Sequence, residues 1–277
     1  MKKIKVMVNG IPGNMAVIVA QHAMIDPRFE LIPYSLTGPE ILDTEYIVDT
    51  LSFRLIQPVH REQVIAEITE KHGSFVSVDY THPSATNRNA MFYCKHCLPF
   101  VMGTTGGNRK LLEETVSMSS ISAVIAPNMA KQIVGFQAMM EWVADTFPGL
   151  FNGYKLELRE SHQKGKADTS GTAKAMIQHF NRLGIPFHEK DIQKERDPEK
   201  QRTEWGIPEK YLEGHAWHTY RLISDDKTVQ FVFSHNVNGR NVYARGTLDA
   251  VFFLSERIEE GKKGKAYTMI DVLQGKS

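Results

Sequence analysis

The feature that most constrains the fold is a regular alternation of short apolar segments with helical patterns over the first half of the chain. Strands are predicted at residues 4–9, 30–36, 75–81, 99–104 and 123–127. Between them, apolar positions with helical spacing predict helices at residues 15–23, 61–72, 84–97 and 109–117. Strands that alternate with helices form crossover units, so this half is expected to build a parallel sheet covered by helices on both faces.

The pattern changes after a long predicted helix at residues 129–146. Residues 154–158 alternate as a strand with one wet face does, and residues 217–223 and 229–237 flank a polar turn, which predicts an antiparallel hairpin. The charged stretch 189–204 predicts an exposed excursion with short helices. Helical spacing then returns at 245–258, followed by a last predicted strand at 267–273.

Together these patterns predict an α/β protein with two domains. Residues 1–128 and 244–277 are expected to form a Rossmann-like, doubly wound parallel sheet that binds a dinucleotide. Residues 129–243 are expected to form an α+β domain with a mixed or antiparallel sheet, for substrate binding and oligomerisation.

Charge and composition favour a small-molecule partner. The 277 residues carry 33 basic and 32 acidic side chains, so no global field attracts nucleic acid or an anionic membrane. No apolar run approaches the roughly 18 residues of a membrane span, and Asn9-Gly10 interrupts the apolar run that follows the basic start. We expect a cytoplasmic protein, or a plastid protein if a transit peptide has been removed.

The two cysteines, Cys94 and Cys97, have the spacing of a thioredoxin-like redox motif. That motif opens a helix, whereas this pair follows an apolar helical segment. Structural thiols at a helix end are therefore the preferred interpretation.

A glycine turn follows the first predicted strand and opens the first helix. Gly10 and Gly13 allow a ligand to approach the backbone closely, and the amides near Asn14 and Met15 lie at the helix N-terminus, where a pyrophosphate binds. The alternative is a plain strand-to-helix turn, but the repeating strand and helix context favours a cofactor site.

The second predicted strand ends without the acidic residue that selects NAD in dinucleotide folds. Ser35 and Thr37 could donate hydrogen bonds to a 2′-phosphate there. NADPH is thus the expected cofactor, with NADH also possible because the tip contains no arginine.

Three further turns follow strands that end at the same edge of the predicted sheet, where open α/β folds bind ligands. Each alone is better explained as a sharp turn, but three together favour a cofactor site. Their candidate residues are Asp79 and Thr81, then Gly103, Thr104 and Thr105, then Pro127 and Asn128.

The densest chemistry lies between Glu160 and Ala173. Ser170 and Thr172 stand where a helix is predicted to begin, so their hydroxyls and the first-turn amides predict an anion pocket. Lys166 adds positive charge, and His162 is suited to proton transfer near neutral pH. Taken alone, the segment is better explained as a solvated basic loop, capped at a helix start, with a surface histidine.

The later histidines His215, His218 and His235 do not indicate a metal. They lie in a predicted strand region, with neither the helical spacing of a zinc motif nor a neighbouring carboxylate or thiolate set in the sequence. No metal is therefore expected, and these residues are interpreted as structural or polar groups near the site.

In order along the chain, these motifs resemble dihydrodipicolinate reductases, and most closely the plant-type branch of that family. The resemblance is carried by the glycine turn, by Asp79-Tyr80-Thr81, by Gly103-Thr104-Thr105-Gly106, by Ala126-Pro127-Asn128 and by the segment from His162 to Thr172. It covers essentially the whole chain. Gln163 replaces the second histidine of the common bacterial form, and the proline before Ser-Gly-Thr is absent.

The resemblance implies a reductase that transfers a hydride from a nicotinamide to a cyclic dicarboxylated substrate. It implies His162 as general acid, Lys166 as charge support, and Ser170, Gly171 and Thr172 as carboxylate ligands, with Thr104, Gln163 and Arg240 as further substrate contacts. A homo-oligomer, dimer or tetramer, built through the second domain's sheet is also implied.

Two other functions stay open from the residues themselves. One is a different two-domain nicotinamide dehydrogenase, which would need neither Lys166 nor the Ser-Gly-Thr helix start. The other is a non-catalytic NADP-binding sensor, against which the retained His162 and Lys166 argue.

Overall fold

A computed structural model describes residues 3–166 and 168–275 and divides the chain into two compact units. The first unit is formed by residues 1–131 and 241–277, and the second by residues 132–240. The first unit contains a six-stranded and a three-stranded sheet, the second contains a four-stranded sheet, and each unit has its own hydrophobic core.

The strands, in chain order, are β1 (Ile4–Asn9), β2 (Phe29–Leu31), β3 (Tyr34–Leu36), β4 (Glu45–Val48), β5 (Leu51–Ile56), β6 (Val76–Asp79), β7 (Phe100–Met102), β8 (Ala123–Ile125), β9 (Tyr154–His162), β10 (Gln193–Glu195), β11 (His215–Ser224), β12 (Gln230–Asn238) and β13 (Ala266–Tyr267). The α-helices are α1 (Asn14–Ile25), α2 (Arg61–His72), α3 (Thr86–Lys95), α4 (Arg109–Ser117), α5 (Lys131–Thr146), α6 (Gly171–Arg182), α7 (Pro198–Thr203), α8 (Asn241–Glu259) and α9 (Met269–Gln274). Single turns of 3-10 helix lie at Pro83–Ala85, Glu189–Asp191 and Glu209–Tyr211.

The first unit is organised around a six-stranded sheet in the order β13-β8-β7-β6-β1-β2. Every neighbouring pair in it is parallel. Apolar residues of α2, α3 and α4 form one core with the strands, and α8 packs against β6, β7, β8 and α1. This confirms the predicted doubly wound parallel sheet. Cys94 lies in the last turn of α3 and Cys97 just after it, as predicted for thiols that end a helix.

The predicted strand at residues 30–36 is wrong as a single strand. β2 ends at Leu31 and β3 begins at Tyr34, because Pro33 has no amide hydrogen with which to continue a ladder. β3 pairs with β5 in a separate three-stranded sheet, and β4 and β5 form an antiparallel hairpin that the sequence analysis missed. The tip of the predicted second strand therefore belongs to this small sheet.

The last predicted strand, residues 267–273, is also wrong after Tyr267. The chain adds only β13 to the sheet and then turns into α9. The side chain of Thr268 accepts a hydrogen bond from the amide of Asp271, and the Asp271 carboxylate accepts one from the amide of Thr268. This capping box stabilises the first turn of a helix at a point where the apolar residues alone suggested a strand.

The second unit contains a mixed four-stranded sheet in the order β10-β9-β11-β12. β9, β11 and β12 are antiparallel neighbours, whereas β10 runs parallel to β9. Apolar residues of α5 and α6 cover one face of this sheet, which we call the inner face. The predicted hairpin and the mixed sheet are thus confirmed. The charged stretch from Glu189 forms short helices as expected, and it also contains β10, which the sequence did not predict.

Within the described part of the chain, no helix is long and apolar enough to cross a membrane.

Candidate active site

The predicted glycine turn joins β1 to α1. Gly10 has a φ of +104°, and a Cβ on it would collide with the carbonyl oxygen of Tyr80. A Cβ on Gly13 would lie 2.8 Å from the carbonyl oxygen of Gly10. Gly13 is the N-cap of α1, so the amides of the first turn, which include those of Asn14 and Met15, meet no capping side chain among the described residues. These amides are available to an anion.

A cavity of about 680 Å³ lies beside this turn, entirely within the first unit. It is large enough for part of a dinucleotide. Its lining residues come from the glycine turn, the segment after β3, the start of α2 and the segment after β6: Gly10, Ile11, Pro12, Gly13, Leu36, Thr37, Gly38, Pro39, Glu40, Ile41, Ile56, Pro58, Arg61, Tyr80, Thr81, His82, Ser84, Ala85, Arg88 and Asn89.

Charged residues from outside the second-strand tip also line this cavity. Glu40, Arg61 and Arg88 all line it. The guanidinium of Arg61 lies 4.5 Å from the ring centre of Phe92 and donates to the side-chain oxygen of Asn89 at 3.4 Å. Arg61 and Arg88 lie far along the chain from the tip, which is why the local sequence did not indicate them.

Ser35 does not face the cavity, which corrects its predicted contact with a 2′-phosphate. Its side chain is fully buried, and its hydroxyl oxygen accepts a hydrogen bond from the amide of Ile11 at 3.1 Å. Ser35 therefore holds the glycine turn in place. Thr37 does line the cavity, although its hydroxyl donates to the carbonyl of Ile56 at 3.3 Å.

The predicted cofactor residue Asp79 is fully buried and does not line the cavity. Its carboxylate accepts hydrogen bonds from several neighbouring segments. One carboxylate oxygen accepts hydrogen bonds from the amide and hydroxyl of Thr81 and from the hydroxyl of Thr104, at 2.7 to 3.1 Å. The other accepts from Asn89 at 3.0 Å and from the Tyr93 hydroxyl at 2.8 Å. Thr81 itself lines the cavity. Asp79 thus joins the ends of β6 and β7 to α3.

The other predicted loops at this edge come together around a second, smaller cavity of about 300 Å³. Thr104, Thr105 and Pro127 line it, with Gly106, Gly107, Arg109, Leu112 and Ile125. Gly103 has no room for a side chain, because a Cβ there would collide with the ring of Tyr80. The side-chain oxygen of Asn128 accepts a hydrogen bond from the amide of Ala130 at 2.9 Å, so Asn128 shapes the turn before α5.

In the second unit, Glu160 and His162 lie on the inner face of β9, because residues two apart on a strand share a face. Glu160 is fully buried. Its carboxylate lies 2.5 Å from Nη2 of Arg196, accepts a hydrogen bond from the amide of Ser170 at 3.3 Å, and lies 3.6 Å from Nε2 of His218. Burial alone would raise the pKa of Glu160, but the neighbouring His218 and Arg196 lower it to about 2. The group is an anion at neutral pH.

His162 differs from the expectation of a histidine that titrates near neutrality. Burial, with a contribution from His218, lowers the pKa of His162 to about 3, so its imidazole is neutral. Its Nε2 lies 4.0 Å from the Glu160 carboxylate, and its backbone carbonyl accepts a hydrogen bond from the buried Gln201 at 2.7 Å. The sequence could not reveal this burial, because β11 and Gln201 reach His162 from distant parts of the chain.

The loop between His162 and α6 carries the predicted anion ligands. The side chain of Lys166 pairs with Asp168 at 2.7 Å. The backbone carbonyl of Lys166 accepts a hydrogen bond from Nε of Arg196 at 2.9 Å. Ser170 is the N-cap of α6, and among the described residues its hydroxyl caps no amide. Gly171 begins the helix and Thr172 follows in its first turn, so this helix start can receive an anion.

Two predicted substrate residues lie at the margins of this region. The carbonyl of Gln163 accepts a hydrogen bond from the amide of Lys166 at 3.0 Å, so Gln163 shapes the loop through its backbone. Arg240 follows β12, and a Cβ on Gly214 would lie 3.3 Å from its guanidinium.

The prediction that the later histidines have no neighbouring carboxylate is wrong for His218. The antiparallel register pairs His218 on β11 directly with Glu160 on β9. The ring of His218 also lies beside that of His235, with 4.6 Å between the ring centres. Strand register brings residues 58 positions apart into contact, which local spacing does not show. His215 is structural as expected, since its ring contacts Ser161 and two backbone carbonyls.

The junction at Asp79 gives a first prediction. Tyr93→Phe removes a hydroxyl that donates to Asp79 and accepts from Asn9 at 3.1 Å, and burial with the Asp79 charge keeps the pKa of this phenol well above its usual value. Losing one partner of a buried carboxylate should lower the free energy of unfolding by about 1–3 kcal/mol. Urea unfolding measures this free energy, and Tyr46→Phe, at an exposed position, is the matched control. Equal stability of the two variants would contradict the role given to Asp79.

Comparison with known proteins places these features in context. The family model described as "Dihydrodipicolinate reductase, N-terminus" matches residues 4–129, and the one described as "Dihydrodipicolinate reductase, C-terminus" matches residues 133–273.

Two plant relatives are similar along nearly the whole chain. The "Probable 4-hydroxy-tetrahydrodipicolinate reductase 1, chloroplastic" of Oryza sativa subsp. japonica is 46% identical over 269 residues, which is 97% of this chain and 78% of the relative. The "4-hydroxy-tetrahydrodipicolinate reductase 2, chloroplastic" of Arabidopsis thaliana is 46% identical over 271 residues, which is 98% of this chain and 77% of the relative.

Among solved structures, a dipicolinate-bound dihydrodipicolinate reductase from Paenisporosarcina sp. TG-14 superimposes with a TM-score of 0.67. The alignment covers 97% of this chain and 98% of that one. At 18% identity, this likeness shows the fold alone.

Proposed function

Because the chain belongs to the dihydrodipicolinate reductase family, as both family models and the plant relatives show, we infer that it reduces 4-hydroxy-tetrahydrodipicolinate to tetrahydrodipicolinate. It is an oxidoreductase of diaminopimelate and lysine biosynthesis that uses a nicotinamide cofactor. The resemblance predicted from the sequence is thereby confirmed. The roles of individual residues, the choice of cofactor, the assembly and the location are our proposals.

The first unit would hold the dinucleotide, with its pyrophosphate on the first-turn amides of α1. The observation that supports this fit is the pair of glycines at the turn, where a Cβ on Gly10 or Gly13 would occupy space needed by backbone atoms. Thr81 and Thr37 line the adjoining cavity, and Thr104, Thr105 and Pro127 line the smaller one. When bound, the cofactor supplies the hydride.

We propose NADPH as the better cofactor, because two arginines line the cavity. Arg61 and Arg88 can each donate to a 2′-phosphate, a group that guanidinium recognises well. Glu40 lines the same cavity and can accept a hydrogen bond from a ribose hydroxyl, so NADH is expected to be used as well.

The double variant Arg61→Gln/Arg88→Gln tests this choice. It should raise the KM for NADPH about tenfold, since it removes two charge-assisted contacts, and should leave the KM for NADH nearly unchanged. Arg54→Gln, on β5 outside the cavity lining, is the control. Steady-state kinetics with both cofactors measures the effect, and equal losses with both would place the 2′-phosphate elsewhere.

The substrate carboxylates would bind in the second unit at the start of α6. Ser170, Gly171 and Thr172 supply hydroxyls and first-turn amides there, and Lys166 supplies a positive charge on the same loop. Lys166 pairs with Asp168, whose side chain is 76% exposed, so a substrate carboxylate can replace that partner. Gln163, Arg240 and Thr104 are proposed as further contacts.

We propose that His162 donates the proton during the reduction. Its imidazole is neutral in the absence of substrate, and the anionic carboxylates of a substrate bound beside it would raise its pKa and favour the charged form. The observation that carries this proposal is the junction at Glu160 and Arg196, which ties the end of β9 to Lys166 and Ser170. One set of contacts therefore positions the acid and the anion ligands together.

Two variants distinguish the proposed role of His162 as proton donor from that of Lys166 as substrate ligand. His162→Gln should lower kcat by roughly a hundredfold and leave cofactor affinity unchanged, because only the proton donor is lost. Lys166→Ala should lower kcat and also raise the KM for the dicarboxylate, because a charge that contacts substrate in both the ground and transition states is removed.

His188→Gln, at an exposed position of the same unit, is the control for these kinetics. Near-normal kcat of His162→Gln across the pH range would show that another group or water supplies the proton.

A homo-oligomer built through the second unit's sheet is proposed, either dimer or tetramer. On the face of this sheet opposite α5 and α6, Val232 of the edge strand β12 is 53% exposed. Light scattering distinguishes the two assemblies. For location we propose the cytoplasm, or a plastid if a transit peptide has been removed, as the names of the plant relatives suggest.

A further inference from the structure

Three potential metal ligands converge on the inner face of the second unit's sheet. Glu160 and His162 are two residues apart on β9, and His218 on β11 is the direct cross-strand partner of Glu160. Oε2 of Glu160 lies 3.6 Å from Nε2 of His218 and 4.0 Å from Nε2 of His162. All three ligand atoms lie within 4.8 Å of one another.

The two imidazoles are buried without hydrogen-bond partners at these atoms. The side chains of Glu160, His162 and His218 are 0%, 7% and 2% exposed. Among residues 3–166 and 168–275, Nε2 of His162 and Nε2 of His218 have no partner within hydrogen-bond distance. Buried polar atoms are almost always paired, so two unpaired nitrogens aimed at one carboxylate oxygen indicate a ligand at this point.

The donor set suits zinc. Two imidazole nitrogens and a carboxylate oxygen are the three-protein-ligand arrangement that leaves a fourth position open, with bonds of about 2.0–2.2 Å. Tetrahedral bonds of this length place ligand atoms about 3.4 Å apart, so Oε2 of Glu160 and Nε2 of His162 must approach each other by about 0.6 Å when the ion binds. Arg196 donates to Oε1 of Glu160 and the amide of Ser170 donates to Oε2 at 3.3 Å, so the carboxylate is oriented by both donors while Oε2 keeps a further lone pair for an ion.

We propose that Glu160, His162 and His218 form a reversible zinc site, and that zinc bound there blocks the reductase. Coordination would occupy Nε2 of His162 and fix the imidazole to which the proposed function assigns proton donation. The blocking step therefore rests on that function, whereas zinc binding does not. The Arg196 guanidinium already forms an ion pair with the Glu160 carboxylate, which weakens the attraction of that carboxylate for a cation. We therefore expect zinc to exchange and its occupancy to follow the free zinc concentration.

Binding is measured on the whole protein without substrate. Co²⁺ is added as a spectroscopic probe for visible absorption of a nitrogen- and oxygen-ligated ion, and Zn²⁺ affinity is measured by competition with a chromophoric chelator. We expect one ion per chain and at least a tenfold loss of affinity in His218→Gln. His235→Gln, which changes a half-buried histidine next to His218 outside the ligand set, should keep the affinity of the unaltered chain. Melting curves establish that both variants are folded.

Activity is then measured with added Zn²⁺. The unaltered protein should lose activity as the site fills, while His218→Gln should keep its own activity at the same zinc concentration. Absence of a stoichiometric ion, or binding that survives both His218→Gln and His162→Gln, would overturn the site. Stoichiometric binding without loss of activity would support the site and contradict His162 as the proton donor.

Discussion

The candidate substrate site depends on one buried carboxylate, that of Glu160. An ionised carboxylate removed from water must be surrounded by donors, and each donor here belongs to a different part of the site. Arg196 binds it and also holds the carbonyl of Lys166, the amide of Ser170 binds it at the start of α6, and His218 approaches from the neighbouring strand. Satisfying this one charge therefore places the loop, the helix start and His162 relative to each other.

In the first unit, the buried carboxylate of Asp79 is likewise surrounded by hydrogen-bond donors. Its carboxylate accepts hydrogen bonds from Thr81, Thr104, Asn89 and Tyr93, which lie on three different segments around the carboxyl edge of the sheet. Asn9 extends the network from Tyr93 to the amide of Leu36, next to the glycine turn. In both units a buried carboxylate organises the loops that carry groups proposed to contact ligand.

The sequence predicted what depends on local pattern. Strand β1, the turn at Gly10 and Gly13 and helix α1 follow from neighbouring residues, and the parallel sheet follows from repetition of that unit. It did not predict contacts set by register or crossover. Ser35 was assigned to the cofactor although its hydroxyl holds the turn, and the pairing of His218 with Glu160 was missed. Apolar periodicity alone predicts a strand where α9 forms. The capping box at Thr268 determines the helix instead.

The most direct test of this account is cofactor oxidation by the purified protein. NADPH absorbance is followed with the product formed from aspartate semialdehyde and pyruvate, and separately with each of those two compounds alone. The account predicts rapid oxidation with the condensation product and none with either compound alone, because the proposed site binds a cyclic dicarboxylate. Oxidation with a single compound, or none with the product, would contradict it.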